Sequence, residues 1–466
     1  MQKQYIACGG NAVESFFKES QLENNDIHAL VVYKDGEKII DVAAPPYSSA
    51  YKRQMYSISK SFTSTAIGIA SDAGLLSVDD RICDIFPDKM PENPSENLLK
   101  MKVHHLLSMN TGHAECVYPR IVNSDDPTAE FLRQEVEFEP GTHFVYNNAA
   151  TFMLSAIITR VTGMSMLDYL YPRLFKKIGI EPECWLANPN GVNDGACGLF
   201  VSAEELARLG LLYLNGGVYN GERILSEAWV RLAQTAHSDN SMNGNPDWTA
   251  GYGYQFWCNR REGYRGDGAM GQLCVILPER GIVAAVVGET ADMQTELDRL
   301  FELIYALEDE NDTACSADLD GIYPPRAGGF APYSRYYRLE ENVMGLTGAN
   351  LEISPSEAVL TLDNGSMREK IIIGNGRWAE SDVMIKHFKP QLQACKPAER
   401  VERAKFFASG SIDDGKISAQ IRYINCPHRI ELEIWYNDEI FEMRQTCANG
   451  NELLYEGAEA LHGKKA

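Results

Sequence analysis

The chain contains 466 residues, 44% of them hydrophobic and 23% charged, and it carries a formal net charge of −22. This length predicts two or three packed domains. The acidic balance argues against nucleic-acid partners and against anionic membrane surfaces, because both need a concentrated basic face on the protein.

The first part of the chain alternates between strand and helix patterns. Residues Ile27–Val42 predict two strands around a turn at Asp35-Gly36. The apolar spacing from about Ser57 to Asp72 predicts a helix that ends at Gly74. The prolines and charges of Pro87–Asn97 predict a surface loop.

Two more helices and two more strands follow in chain order. Helical patterns cover Asn148–Val161, which comes after Pro140-Gly141, and Ala203–Leu214. Two apolar runs, Leu273–Leu277 and Ile282–Val287, are separated by a short turn and predict neighbouring strands.

The composition of the chain changes after about residue 308. Glu308–Asp320 is acidic and polar, and Pro324–Pro332 contains three prolines and two adjacent glycines. These stretches predict a linker over residues 311–330, between a first domain of residues 1–310 and a second of residues 331–466. In the second domain, short alternating runs separated by turn residues predict a small all-β sandwich or barrel.

A serine and a lysine three residues apart open the first predicted helix. Ser57 and Lys60 share one face of that helix, so Lys60 reaches the Ser57 hydroxyl. A desolvated lysine has a lowered pKa and accepts a proton near neutral pH. The same spacing occurs at Ser15 and Ser49, but only Ser57 begins a strongly apolar helix after a strand pair.

Tyr146-Asn147-Asn148 has the Y-x-N pattern and lies at the start of another predicted helix. A tyrosine beside Lys60 would act as base toward Ser57 and as acid toward the leaving group. The same pattern begins at Tyr213 and Tyr423, and a buried structural tyrosine is the alternative interpretation.

A glycine-rich segment, residues 264–272, leads into an apolar strand. Such a segment lets a strand expose its backbone to a cleft. The backbone N–H of Ala269 would pair with that of Ser57 as an oxyanion hole, and a plain turn is the alternative.

Other kinds of site find little support in the sequence. His104, His105 and His113 lack the spacing of a metal-binding set, and the eleven cysteines form no CxxC pair. No run of about 18 uncharged apolar residues is present, and the first residues lack the apolar run of a signal peptide. We therefore expect no metal, no cofactor and no membrane partner, and a cytoplasmic location.

Four segments taken together resemble the β-lactamase-related serine hydrolases, which include class C β-lactamases, D-alanyl-D-alanine peptidases, esterases and amide hydrolases. MYSISKSFTSTAIGIASDAGLLSVDDRICDIFP is similar to the nucleophile helix and its trailing loop. VHHLLSMNTGH resembles an HLLSHTSG-type segment, with Met109 where histidine is common. The family's second motif is resembled by PGTHFVYNNAATFMLSAIITRVTG. The helix and loop downstream of that motif are resembled by GLFVSAEELARLGLLYLNGGVYNGERIL. The likeness covers roughly Ile27 to Val287.

The resemblance implies an α/β (α+β) fold, with an antiparallel sheet flanked by helices and a mostly helical subdomain that holds Tyr146. It implies that Ser57 forms an acyl-enzyme with a small ester, amide or short peptide. Lys60 and Tyr146 would move protons, and Asn148 would orient the substrate and Lys60. The N–H groups of Ser57 and Ala269 would hold the oxyanion without a metal or cofactor.

The third motif departs from the family's pattern. Where the family usually has K-T-G or H-x-G, this chain has Gly266-Asp267-Gly268, so the cation is missing. We expect these residues to contact the substrate, and esters or amides to be preferred over β-lactams. Two alternatives stay open, namely a non-catalytic or slowly turning-over penicillin-binding-type sensor and a protein that acts through recognition by its β-domain.

Overall fold

A computed structural model describes residues 4–308, 312–342, 344–384, 403–413, 415–447 and 461–465. These residues divide into two compact units. Residues 4–43 and 48–317 belong to the first, and residues 44–47 belong with those from 318 onward to the second. The division after Ala317 falls inside the predicted linker, whose bounds stay a prediction.

An antiparallel sheet forms the framework of the first unit. Its strands run in the order β1-β3-β2-β11-β10-β9-β8, and the strands β4 with β5 and β6 with β7 form two small separate ribbons. The bounds are β1 (Tyr5–Ile6), β2 (Asn25–Lys34), β3 (Glu37–Ala43), β4 (Arg53–Gln54), β5 (Phe200–Val201), β6 (Val218–Tyr219), β7 (Glu222–Arg223), β8 (Trp257–Cys258), β9 (Tyr264–Gly268), β10 (Gln272–Leu277) and β11 (Ile282–Thr290).

Helices pack against this sheet and form a second layer around the central helix α2. Among the described residues they are α1 (Gly10–Leu22), α2 (Ser59–Asp72), α3 (Ile82–Ile85), α4 (Glu96–Lys100), α5 (Val103–Leu107), α6 (Tyr118–Ile121), α7 (Pro127–Arg133), α8 (Asn148–Thr162), α9 (Met166–Leu170), α10 (Lys176–Ile178), α11 (Ala203–Leu214), α12 (Glu227–Gln234) and α13 (Met293–Ala306). Short turns of other helix types lie between some of them, including Tyr56–Ile58 and Pro87–Lys89.

Helix α2 is buried on nearly all sides. Its predicted apolar positions, among them Phe62 and Ala66, have no exposed surface. Two of its buried hydroxyl groups donate to backbone carbonyls one turn earlier. Thr63 donates to the Ser59 carbonyl at 3.2 Å, and Thr65 donates to the Ser61 carbonyl at 2.8 Å. Small polar residues are therefore tolerated in this core helix, because backbone carbonyl oxygens one turn earlier accept their protons.

The second unit is an all-β barrel. Its strands are β12 (Tyr333–Leu339), β13 (Gly348–Ile353), β14 (Glu357–Asp363), β15 (Arg368–Gly374), β16 (Ala379–Val383), β17 (Ala404–Asp413), β18 (Lys416–Tyr423), β19 (Arg429–Tyr436), β20 (Ile440–Cys447) and β21 (Leu461–Lys465). They pair in the order β15-β14-β13-β12-β21-β20-β19-β18-β17-β16, and a bridge between Gly374 and Ser409 links β15 to β17. Alternate residues of these strands form one buried apolar cluster, as the alternating pattern predicts.

The predicted fold class is confirmed: helices flank an antiparallel sheet, a helical subdomain is present, and an all-β domain follows. The hairpin turn at Asp35-Gly36 is present, with both residues at positive φ. One prediction was too simple. The segment Pro87–Asn97 is not only a loop, because α4 begins at Glu96, where the Ser95 hydroxyl accepts a hydrogen bond from Leu98 N–H at 3.1 Å.

The helices were also compared with the length and apolarity that a membrane span requires. None of the described helices meets that requirement alone, and one bent pair, Asn148–Thr162 with Met166–Ile178 at 69°, meets it when the two are joined.

Candidate active site

Ser57 lies in the tight turn Tyr56–Ile58, directly before α2. The preceding residue, Tyr56, is buried and has a φ of 46°, which is uncommon for a residue other than glycine. The turn is fixed at its base because Met55 N–H donates to the Leu199 carbonyl at 2.9 Å. Unusual backbone geometry of this kind persists only where the surrounding structure holds it in place.

Lys60 extends back along α2 to the serine. Its Nζ lies 2.8 Å from Ser57 Oγ, donates to the Ala196 carbonyl at 2.9 Å, and lies 4.9 Å from the centre of the Tyr146 ring. The side chain is almost completely buried, and burial lowers the pKa of Lys60 to about 8, although nearby acidic groups act in the opposite direction. A lysine with this pKa is partly neutral near pH 7, and the neutral form accepts a proton from a hydroxyl.

Tyr146 lies on the other side of the serine, in the segment before α8. Its hydroxyl group hydrogen-bonds to Ser57, and its ring stacks on Trp257 with 5.2 Å between ring centres. Burial raises the pKa of Tyr146 above its ordinary value of 10. The phenol therefore stays protonated at neutral pH, and Tyr146 is suited to donate a proton rather than to act as a phenolate base.

Asn148 is the first residue of α8, but it does not contact Lys60 as the sequence led us to expect. Its Oδ1 accepts no hydrogen bond from any residue that the structure describes. The carbonyl of Ala196 accepts from Lys60 instead. Asn147 has a separate role, because its side chain accepts from Ala149 N–H at 3.1 Å and caps the helix.

The glycines of the third motif allow β9 to approach the turn Tyr56–Ile58 closely. A methyl group added at Gly268 would lie 3.2 Å from Ser57 N and would collide with the Met55 carbonyl. A methyl group added at Gly266 would lie 2.7 Å from Ser61 Oγ. The strand therefore packs directly on the backbone around Ser57, and the next residue, Ala269, lines the same cavity as Ser57.

The two charged residues of β9 form a buried ion pair. Arg265 Nη2 and Asp267 Oδ2 are 3.1 Å apart, and the guanidinium also donates to Asn259 Oδ1 at 2.9 Å and lies 4.6 Å from the Trp248 ring. Burial raises the pKa of Asp267, while Arg265 and Lys60 oppose that change. Asp267 lines the cavity, and the completely buried Arg265 does not.

A cavity of about 620 Å³ opens beside Ser57. Aromatic rings, two aspartates, a polar loop and the start of α13 surround it; the lining residues are Ser57, Tyr146, Asn243, Gly244, Asn245, Trp248, Trp257, Asp267, Ala269, Ala291, Asp292 and Met293. The structure therefore brings four predicted site residues to one cavity, namely Ser57, Tyr146, Asp267 and Ala269. Lys60 does not line this cavity but is hydrogen-bonded to Ser57.

A model of the family described as beta-lactamase matches residues 27–306, which is more than half of the chain. The chain belongs to the beta-lactamase family. A 6-aminohexanoate-dimer hydrolase of Paenarthrobacter ureafaciens is 25% identical over 299 residues, which is 59% of this chain and 76% of that protein.

Solved structures of other proteins share the fold of this chain. The hydrolase EstCE1, described as having promiscuous acyltransferase activity, has a TM-score of 0.55 at 15% identity and covers 64% of this chain and 98% of its own. An octameric penicillin-binding protein homologue from Pyrococcus abyssi has a TM-score of 0.50 at 16% identity and covers 97% of this chain and 99% of its own. At sequence identities this low, the two comparisons show a shared fold and do not show a shared activity.

Several residues around the site of this beta-lactamase-family chain were not found from the sequence. Trp248 and Trp257 line the cavity, yet their segment has no periodic pattern that would mark them. Asp194 is completely buried and accepts hydrogen bonds from the Tyr118 hydroxyl at 2.6 Å and from Cys197 Sγ at 3.2 Å. Its charge acts on Lys60, and no sequence motif contains both residues.

The histidines of the family-like segment occupy structural positions. His105 Nδ1 accepts a hydrogen bond from Lys102 N–H at 3.0 Å, and burial lowers the pKa of His105 and of His113 to about 4. The rings of His104 and His105 lie 4.0 Å apart and contact each other.

A buried polar cluster elsewhere in the sheet resembles a metal-ligand set. Ligand atoms of Asp26, His28 and Glu289 lie within 4.8 Å of one another. The Arg53 guanidinium lies 2.8 Å from His28 Nδ1 and so already occupies one of the ring nitrogens that a metal would need. We assign no metal to this cluster.

Proposed function

We propose that the chain is a serine hydrolase that cleaves an ester or amide through an acyl-enzyme on Ser57. The contact between Lys60 Nζ and Ser57 Oγ at 2.8 Å carries this proposal, because a buried lysine with a lowered pKa activates a serine hydroxyl. Membership in a family with hydrolase and esterase relatives supports it.

In the acylation step, neutral Lys60 takes the Ser57 proton while Oγ attacks the substrate carbonyl carbon. The carbonyl oxygen becomes an oxyanion, held by the N–H groups of Ser57 and Ala269. When the bond to the leaving group breaks, protonated Tyr146 donates a proton to the leaving oxygen or nitrogen and recovers one from Lys60.

In the deacylation step, a water molecule attacks the acyl carbon and passes a proton to Lys60. The bond between the acyl carbon and Oγ then breaks, and Ser57 recovers its proton from Lys60. Asn148, the first residue of α8, is proposed to orient the substrate. We propose no metal or cofactor for either step.

The substrate is proposed to be a neutral or cationic small ester, amide or short peptide rather than a penicillin or cephalosporin. Gly266 cannot supply the cation that the family's lysine supplies, and the Arg265 side chain lies outside the cavity wall. Asp267 and Asp292 line the cavity together with aromatic residues. Such a wall favours uncharged or positively charged groups over a carboxylate.

Labelling with a fluorophosphonate tests this function. Wild-type protein is expected to form an adduct that mass spectrometry maps to Ser57, and Ser57→Ala should lose it, because removal of a nucleophile costs several orders of magnitude in rate. Ser61→Ala, one turn further along α2, is the matched control and should still be labelled. An adduct that forms on Ser57→Ala at the wild-type rate would exclude Ser57 as the nucleophile.

A turnover assay with a p-nitrophenyl short-chain ester separates the sensor alternative from an enzyme. A hydrolase should release p-nitrophenol from a short-chain ester in many turnovers per site. A stoichiometric burst without further release would indicate an acylated sensor of the penicillin-binding type.

A further inference from the structure

The turn that carries Ala269 rests on a buried glutamate. Gly271 has a φ of 78°, and a methyl group there would collide with Glu296 Oε2 and lie 2.6 Å from Thr290 Oγ1. The turn is also tied to β11, because Thr290 N–H donates to the Met270 carbonyl at 3.2 Å. The backbone at Gly271 therefore lies directly against the Glu296 carboxyl group.

Glu296 belongs to the first turn of α13, and its side chain has no exposed surface. Neither carboxyl oxygen makes a hydrogen bond of normal geometry to a described residue. Burial raises the pKa of Glu296 to about 8, and the Thr290 hydroxyl opposes that change only in part. The carboxyl group is therefore mostly uncharged at neutral pH.

The charged groups on β2, on β11 and at the start of α13 do not stabilise a negative charge on Glu296. In the register of β11 against β2, Glu289 lies opposite Asp26 and Thr290 lies opposite Asn25. Consecutive strand residues point to opposite faces of the sheet. The side chains of Glu289 and Asp26 therefore point away from the face on which Thr290 approaches Glu296. Asp292 caps α13 by accepting from the backbone N–H of the next turn. No charged side chain among the described residues contributes to the shift at Glu296.

We propose that Glu296 is a positioning residue whose uncharged carboxyl group supports the turn 269–271 and so holds Ala269 N–H toward the oxyanion. An ionised carboxylate at this buried position needs water or a cation to stabilise its charge. To admit water, the turn 269–271, which contacts Glu296, would have to move. This inference rests on the proposed function, because it assigns the turn to the oxyanion hole.

The test compares the pH dependence of kcat/KM for wild-type protein and Glu296→Gln. Glutamine keeps the shape and polarity of the carboxylic acid but does not ionise. Lys60 titrates in the same range in both proteins, so its effect cancels in the ratio of the two rates. We expect the ratio of the variant rate to the wild-type rate to rise roughly tenfold from about pH 7 to about pH 9, where most of the wild-type carboxyl group ionises.

Glu302→Gln is the matched control, because Glu302 lies on the same helix but is exposed to solvent. Its pH profile should follow that of the wild type. A Glu296→Gln profile parallel to the wild-type profile would overturn the positioning role alone. Wild-type protein that is never labelled at Ser57, at any pH, would instead overturn the proposed function and this role with it.

A second measurement reports the ionisation without catalysis. The folded-state pKa of Glu296 is about 8 and the ordinary value is 4.5, so between these values the unfolded chain has lost a proton that the folded chain keeps. The stability of the wild type must then decrease with rising pH across this window. The Tm of Glu296→Gln, relative to the wild type, should increase from about pH 5 to about pH 8. A constant difference would contradict a buried, ionisable Glu296.

Discussion

Arg265 and Asp267 lie two residues apart on β9, and their side chains form an ion pair with 3.1 Å between Nη2 and Oδ2. Residues at this spacing share one face of a strand, while Gly266 and Gly268 occupy the other, where Gly268 approaches the turn Tyr56–Ile58 and Gly266 approaches Ser61 of α2. The ion pair holds the completely buried Arg265 away from the cavity, so the third motif contributes Asp267 to the cavity lining and no cation.

The first prediction concerns substrate choice. A carboxylate-bearing substrate loses a charge-assisted hydrogen bond here, which is worth roughly 1.5–3 kcal/mol. That corresponds to about a 10- to 150-fold preference for neutral or cationic substrates. We expect kcat/KM for a p-nitrophenyl short-chain ester and for a D-amino-acid anilide to exceed that for nitrocefin. Nitrocefin as the fastest of the three by a wide margin would show that a β-lactam is the preferred substrate.

The second prediction concerns the acid limb of the pH profile. The pKa of Lys60 is about 8, and only its neutral form accepts the Ser57 proton. Below this pH the neutral fraction falls about tenfold per unit, and the rate of Ser57 acylation should fall with it. The measurement is the rate of fluorophosphonate labelling from about pH 5 to about pH 8. A rate that is constant over this range would mean that Lys60 is not the base.

The third prediction concerns Lys60 and Tyr146 as one proton-transfer unit. Each of Lys60→Ala and Tyr146→Phe should reduce kcat/KM by about 10²- to 10⁴-fold. The double variant should lose little more than the worse single variant, because residues that act as a unit are not additive. Tyr336→Phe, an exposed tyrosine in the barrel, is the control for the loss of a hydroxyl group. Additive losses in barrier height would indicate two independent roles.

The fourth prediction concerns the contact between β9 and the turn Tyr56–Ile58. Gly268→Ala places a methyl group against the Met55 carbonyl and near Ser57 N, so either the strand or the turn must shift. Loss of one oxyanion donor costs about 10²- to 10³-fold in kcat, and we expect a loss of this size. Gly321→Ala is the control, because a methyl group there meets no atom within 4 Å. Wild-type kcat in Gly268→Ala would show that the close approach is not needed.

Local sequence patterns predicted the elements that carry the site. The helix after Ser57, the helix from Asn148 and the strands around residues 273–287 follow from apolar spacing and from the turn residues that bound them. Placing Lys60 beside Ser57 needed only the geometry of one helical turn. The third motif was recognised by its position relative to an apolar strand, and the contacts of its glycines explain why larger residues are absent.

Long-range contacts were not predictable from these patterns. Trp257 lines the cavity from β8, the strand paired with β9, and Trp248 lines it beside Arg265. Asp194 acts on Lys60 from a loop more than a hundred residues away in sequence. The protonated state of Tyr146 and the ion pair of Arg265 depend on burial, which a pattern of residue types does not report. Lys60 donates to the carbonyl of Ala196 and not to Asn148 as expected. Because a backbone carbonyl is present in every residue, the amino-acid sequence does not indicate this contact.

The barrel of the second unit has a consequence for the recognition hypothesis. Its inward positions are filled by large apolar side chains, among them Leu351, Ile373, Phe406, Ile421 and Leu432, all of which are fully buried. In the part of the barrel that the structure describes, these side chains fill the interior, whereas a carrier barrel encloses a hydrophobic guest molecule. Any glycan or peptide that this unit recognises must therefore bind to its outer face or to its loops, where single substitutions alter affinity without loosening the core.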